Sequence, residues 1–318
     1  MKTKHLVWSA LAAAQTIALP MAARAGDETQ QSKQVVTTDD KPAPLPLHEI
    51  EGNGGIFSTL SAYLVDPPRN NEPIGRPSIG GEYVDLGHGR DLEALTITET
   101  PWNRLELGYG YNRFALGDLP LALEKAGLNI KEDNVQLHNF NARLSLLKEG
   151  EFGADWLPAV TFGVHYKVNT TISNINTELD GALRGIGITD DSGVDYTLYA
   201  TKLIKSLPLP VLVNLGVRET KAAEIGLFGF TDHYSAHAEG SIGVFLTNKL
   251  ILAGEYRSQP SDYKAIPGLI KTENDWWTID LAYVVNNNLT LAVGYGHFGD
   301  VLNDQANSVW GVTIKNEF

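Results

Sequence analysis

The chain has 318 residues, no cysteine, and 25 Lys and Arg against 38 Asp and Glu, for a formal net charge of −13. A chain this long buries a core without disulfide staples, and the lack of thiols excludes thiolate catalysis, thiolate metal sites and a thioether-linked lipid anchor. The acidic balance repels phosphate backbones, which excludes a nucleic-acid partner.

In chain order, the first element is an export signal. Lys2 and Lys4 form a short positive region, Leu6 to Leu19 an uncharged apolar one, Pro20 breaks it, and Ala23-Arg24-Ala25 precedes Gly26 as a cleavage site. The apolar run is too short to cross a bilayer as a helix, so residues 1–25 are expected to be removed. Removal takes the basic count from 25 to 22 against 38 acidic residues, a net charge of −16. Residues 26–54, with "TTDDKPAPLPL" in their middle, read as a flexible periplasmic segment.

From Gly55 onward the sequence alternates with period two. Thirteen runs of strand length occur, at 55–65, 78–86, 91–99, 103–114, 134–147, 158–169, 193–204, 210–220, 234–247, 249–258, 275–286, 289–298 and 308–318. The clearest, "PAVTFGVHYKVN", sets Val160, Phe162, Val164, Tyr166 and Val168 on one face and Thr161, Gly163, His165, Lys167 and Asn169 on the other. Runs of about ten residues suit strands that cross a bilayer. Tight links at 205–210, 247–249 and 286–288 alternate with long ones at 116–133, 170–192, 222–233, 259–274 and 299–307. Short periplasmic turns, long extracellular loops and aromatic residues near strand ends, read as an interfacial girdle and including Tyr63, Trp102, Trp156, Tyr196, Trp276, Trp277 and Trp310, complete the pattern. The expected fold is an all-β, transmembrane, antiparallel up-and-down β-barrel over 55–318. Bacterial barrels have even strand numbers, so twelve strands are expected, fourteen being the alternative, and 55–65 packs inside the barrel or along its base. In the last run Trp310, Val312, Ile314 and Phe318 share a face, a C-terminal assembly signal that departs from the usual pattern at Asn316.

The residues "EGNGGIF" (51–57), "LEALTITET" (92–100), "LELGYGY" (105–111), "DDSGVDYTLYATKL" (190–203) and "EIGLFGFTD" (224–232) resemble an uncharacterised family of bacterial outer-membrane barrels, domain-of-unknown-function family 3034. The resemblance implies an outer-membrane barrel and assigns it no activity.

The polar strand faces supply the expected lumen lining: Arg104, Glu106, His165, Lys167, Arg218, His237, Glu239, Glu255, Arg257 and Asp280. Both signs are interspersed, which fits a narrow or gated pore for small or hydrophobic solutes, or a closed structural or surface-interaction barrel whose interior charges pair. A lipid hydrolase on Ser235 and His237 is a third alternative, but their face points inward and the spacing alone is weak. His233, His237 and Glu239 are metal-ligand types, for which polar filling is the simpler reading. No catalytic residue, metal or cofactor is therefore expected. Expected partners are outer-membrane lipids and, during biogenesis, periplasmic chaperones and barrel-assembly machinery. Loops 116–133 and 170–192 have helix-like apolar spacing, and the apolar loop 222–230 is suited to dip into the barrel mouth or to lie against its rim.

Overall fold

The computed structural model describes residues 43–69, 72 and 74–318. The expected signal peptide and residues 26–42 of the expected periplasmic segment lie outside the described residues.

Twelve strands form the wall: β1 (Ser78–Gly87), β2 (Arg90–Trp102), β3 (Leu105–Ala115), β4 (Asn134–Leu147), β5 (Ala159–Asn169), β6 (Ser192–Ile204), β7 (Val211–Ala222), β8 (Phe230–Phe245), β9 (Leu250–Arg257), β10 (Trp276–Val284), β11 (Leu289–His297) and β12 (Val309–Glu317). Each pairs antiparallel with its neighbours in chain order, and β12 returns to β1 through Val312 opposite Tyr83 and Ile314 opposite Gly81. Closure leaves no unpaired edge, which is the condition for strands to stand in hydrocarbon. The chain thus builds the twelve strands expected from the sequence, and not the alternative of fourteen.

The alternation read from the sequence becomes the two faces of this wall. Between β10 and β11, Ile279 faces Tyr295 and Leu281 faces Val293 on the outside, while Asp280 faces Gly294 inside. The exposed apolar belt continues around the barrel through Leu95, Phe140, Leu198 and Leu215. A belt of this extent is a lipid-facing surface. No helix among the described residues is long and apolar enough to cross a membrane, so the strands do the crossing. Trp310, Val312, Ile314 and Phe318 lie exposed on that outer side.

The end at which residues 43–45 and Phe318 lie, periplasmic in bacterial barrels, has mostly tight links. At 285–288 the Asn286 carboxamide oxygen accepts the backbone N–H groups of Asn288 (2.8 Å) and Leu289 (3.0 Å), an Asx turn. At the opposite end the long loops build a roof. It contains α1 (Leu119–Lys125), α2 (Ile172–Glu178) and α3 (Ala182–Ile186), with Pro120 at the start of α1, where its missing N–H costs nothing. Their inward faces, Leu119, Leu123, Ile172, Ile175, Leu183 and Ile186, join one apolar cluster with Phe228 and Ile270.

Two expectations need correction. Residues 43–54, assigned by the sequence to the flexible segment, lie inside the barrel together with 55–66. Leu47–His48 pairs with Gly54–Gly55, and Glu49, Glu51 and Asn53 are buried. A polar stretch reads as solvated unless polar partners surround it, and here the lumen supplies them. Arg104 is not in the lumen: it sits in the two-residue turn between β2 and β3, half-exposed, and pairs with Glu151.

Candidate functional site

The lumen is occupied by a plug, residues 43–66. It enters at the periplasmic end, rises to an apex at Ile50–Glu51, and descends to β1. Most of it lacks sheet partners, so its backbone groups need other ones. Wall side chains provide them. Asn112 donates to Ile50 O (2.6 Å), Asn141 to Glu51 O (2.7 Å) and Asn214 to Leu60 O (2.6 Å). Arg143 donates to Gly54 O (2.8 Å) and Ser61 O (2.5 Å), and Glu106 accepts Val65 N–H (2.7 Å). Glu255 accepts three successive N–H groups, from Phe57 (3.0 Å), Ser58 (3.0 Å) and Thr59 (2.7 Å).

At the apex, Glu51 enters a fully buried ion cluster. It pairs with Lys167, and its Oε2 lies 2.7 Å from an Arg218 nitrogen, a close ion contact without hydrogen-bond alignment. Asp195 lies 2.7 Å from Lys167 and 2.9 Å from Arg218, and Glu239 lies 2.9 Å from Arg218. Arg257 approaches Glu239 at 3.5 Å. Removing one partner from such a cluster leaves an uncompensated buried charge, which costs about 3–5 kcal/mol.

Glycines on the inner face of the wall make room for the plug. A Cβ on Gly108 would stand 2.2 Å from Gly52 O, one on Gly110 2.5 Å from Glu51 O, and one on Gly311 2.3 Å from the Phe57 ring.

The structure therefore places Glu106, His165, Lys167, Arg218, His237, Glu239, Glu255, Arg257 and Asp280 on the inner side, each nearly or fully buried. His165 bridges Asn141 (2.8 Å) and Thr197 (2.9 Å). Arg143, Asp195 and Tyr199 belong to the same lining and are absent from the sequence-derived set, although the alternation of β4 and β6 puts them on the inner face. Glu49, Glu51 and Asn53 are the larger omission, since no strand pattern marks them.

The apolar loop 223–229 dips into the barrel mouth. Glu224 (φ 47°) and Ile225 (φ 57°) are both left-handed, a strained conformation costing of order 1–3 kcal/mol per residue. Several bonds hold it there. Lys167 donates to Ile225 O (3.1 Å), Asn169 to Gly226 O (3.0 Å) and Leu227 O (2.9 Å), and Glu224 N–H to Glu273 (2.6 Å). Lys167 thus touches plug and loop at once. Burial, and then the charge of Glu273, pushes the Glu224 carboxyl well above the carboxylate range. Burial likewise raises Glu273 to about 7, against the backbone N–H groups of Glu224 and Asp262 that favour its charge.

Ser235 and His237 do meet. The Ser235 hydroxyl lies 2.9 Å from His237 Nε2, and Gln259 Oε1 stands 2.8 Å from Nδ1, where it favours the tautomer a base would need. The hydroxyl also donates to the Asp262 carboxylate at 2.5 Å, so it is engaged by a loop carboxylate as well as by the imidazole. This network ties the 258–275 loop to β8. Among the described residues no group of three or more His, Asp or Glu side chains is arranged to hold a metal ion, so His233, His237 and Glu239 do not form one.

The chain matches one family model and is similar, at low identity, to several solved structures. The family model described as "Protein of unknown function (DUF3034)" matches residues 84–315. Similar solved structures include the Acinetobacter baumannii outer membrane protein Omp33, at 10% identity and TM-score 0.42, covering 77% of this chain and 99% of that one. The KdgM porin is similar at 11% identity and TM-score 0.43, covering 76% and 99%. An outer membrane channel from Pseudomonas putida F1 is similar at 10% identity and TM-score 0.43, covering 79% and 99%. No curated protein matches the sequence.

Proposed function

The chain belongs to the family described as protein of unknown function (DUF3034), and we propose that it is a gated pore of the bacterial outer membrane for small solutes, closed at rest by residues 43–66. The observation that carries this reading is the polar character of the plug's grip. A barrel meant to stay filled is stabilised at least as well by apolar packing, because buried ion clusters carry a large desolvation cost. This wall instead presents Asn, Thr, Glu, Arg and Lys, groups that water solvates once the plug withdraws. The export signal read at 1–25 and the lipid-facing belt support the outer-membrane address, with membrane lipids as the surrounding partner.

Ser235 is assigned to loop anchoring, without enzyme activity. An activated-serine probe is expected to leave the folded protein unlabelled; labelling lost in Ser235→Ala would reverse that assignment.

Single-channel recording in a planar bilayer tests the pore. The intact protein is expected to be silent, or to open rarely, and a variant lacking residues 43–66 to conduct steadily. Silence from a plug-less variant that is folded and inserted would refute the reading and leave a closed structural barrel.

A further inference from the structure

Two apolar cavities lie in series beneath the roof. The upper, about 50 Å³, is lined by aliphatic side chains including Leu119, Leu123, Ile172, Ile175 and Ile266. The lower, about 20 Å³, lies between the 223–229 loop and the barrel mouth, lined by Ile50 of the plug apex, Phe114, Trp276 and Phe298. Phe228 lines both, so its ring is the partition between them.

The lower cavity has one charged lining residue, Glu224, which is 2% exposed. Its Oε1 accepts the Tyr263 hydroxyl at 3.2 Å, and the Leu302 N–H approaches the carboxyl. Its Oε2 closes no hydrogen bond. A buried oxygen without a partner is unfavourable, and a polar group arriving in the cavity relieves it.

We propose that the two cavities form a binding site for a small one-ring aromatic molecule carrying one hydroxyl group, its ring in the apolar space and its hydroxyl on Glu224. Size sets the ring count. An apolar protein cavity of roughly 150 Å³ takes up benzene. Neither cavity reaches that alone, nor do the two together, so the proposal requires the Phe228 ring to swing out of the partition and yield its place to the ligand ring. Chemistry sets the hydroxyl. Burial and the neighbouring Glu273 favour the neutral form of the Glu224 carboxyl, and a hydroxyl can accept from that form or donate to the ionised one. The route sets the balance between the two, since the solute must enter an apolar roof and leave through a polar lumen. Bound there, it would rest on Ile50 of the plug and beside Ile225, whose carbonyl Lys167 holds. The proposal names a solute class for the gated pore and rests on that reading for its transport role; the binding itself does not.

Calorimetric titration of the full chain in lipid nanodiscs with phenol, and separately with toluene, tests it. Phenol is expected to bind saturably and about tenfold tighter than toluene, the ratio one good hydrogen bond supplies. Glu224→Leu should abolish that preference and Glu224→Gln should keep most of it. Phe228→Trp, which fills the partition, should weaken both ligands. No saturable phenol binding in the wild type would overturn the site, and would mean that a buried water alone meets Glu224. So would an unchanged phenol preference in folded Glu224→Leu. Because binding is read without current, phenol binding alongside a silent plug-less barrel would sink the pore and leave the site standing.

Discussion

The plug and the roof close the same barrel from opposite ends, and they hold to it by opposite means. Around the plug, wall side chains supply hydrogen bonds and ions: Asn112, Asn141, Arg143 and Asn214 cap its carbonyls, Glu255 collects its N–H groups, and Lys167 and Arg218 hold Glu51. In the roof, α1–α3 and loops 223–229 and 258–275 bury Leu, Ile and Phe against one another. Apolar packing is non-directional and tolerates small shifts, whereas an ion cluster holds one geometry and loses its grip once a partner leaves. The roof is thus suited to yield gradually and the plug to release as a unit. The two meet at Lys167, which touches Glu51 below and Ile225 above.

The two closures can be disrupted together or one at a time. Lys167→Met strikes both closures, leaving Arg218 as the cation in contact with Glu51 and Asp195 and removing one of the bonds that hold the strained 224–225 turn. It should cost about 3–5 kcal/mol, read as a lower urea midpoint for the loss of the compact band on unheated gels. Phe228→Ala strikes the roof alone and should cost roughly 3 kcal/mol, the low end for a buried Phe because voids already adjoin it. In that variant the plug amides should keep their hydrogen-exchange protection while those of the 258–275 loop lose theirs.

A pH series sharpens the contrast further. Glu273, raised to about 7 by burial, binds its proton more tightly in the folded roof than in the unfolded chain, and Glu224 is shifted in the same direction. Stability from an acid shifted upward falls as pH rises from the unfolded value of about 4.5 towards 7, and is level above that. Protection of the 258–275 loop, corrected for intrinsic exchange, should therefore decline across that window. Flat protection from pH 4.5 to 7 would show that the pair does not hold the roof. The smallest effect is expected from Ser235→Ala, which removes one anchor of that loop and should cost about 1 kcal/mol.

The wall was legible in the sequence because period-two alternation and lipid contact impose the same pattern on every strand. Ile279, Leu281 and Tyr283 against Thr278, Asp280 and Ala282 leave only one way to face the membrane. The helical spacing in 116–133 and 170–192 likewise marked the helices of the roof. The plug was not legible as far back as residue 43. "PAPLPLHEIEGNGG" has no period, and its polarity reads as solvation until the lumen groups that satisfy it are known. An indirect sign was present in the inward glycines Gly108, Gly110 and Gly311, placed where large polar side chains would otherwise fill a narrow barrel. Tyr63 and Trp276, read as interfacial aromatics, turn inward instead: Tyr63 bonds Glu149, and Trp276 stacks on Phe298 at 4.5 Å. Strand-end position alone does not fix which face a residue takes.

The most direct test of the polar latch is the single-channel current of Glu51→Ala, recorded beside the plug-less variant. Without the Glu51 carboxylate, Lys167 and Arg218 no longer hold the apex, and the current is expected in bursts whose open level matches that of the plug-less barrel. A folded, inserted Glu51→Ala protein that stays silent while the plug-less barrel conducts would contradict it, and would place the grip on the plug elsewhere than the ion cluster.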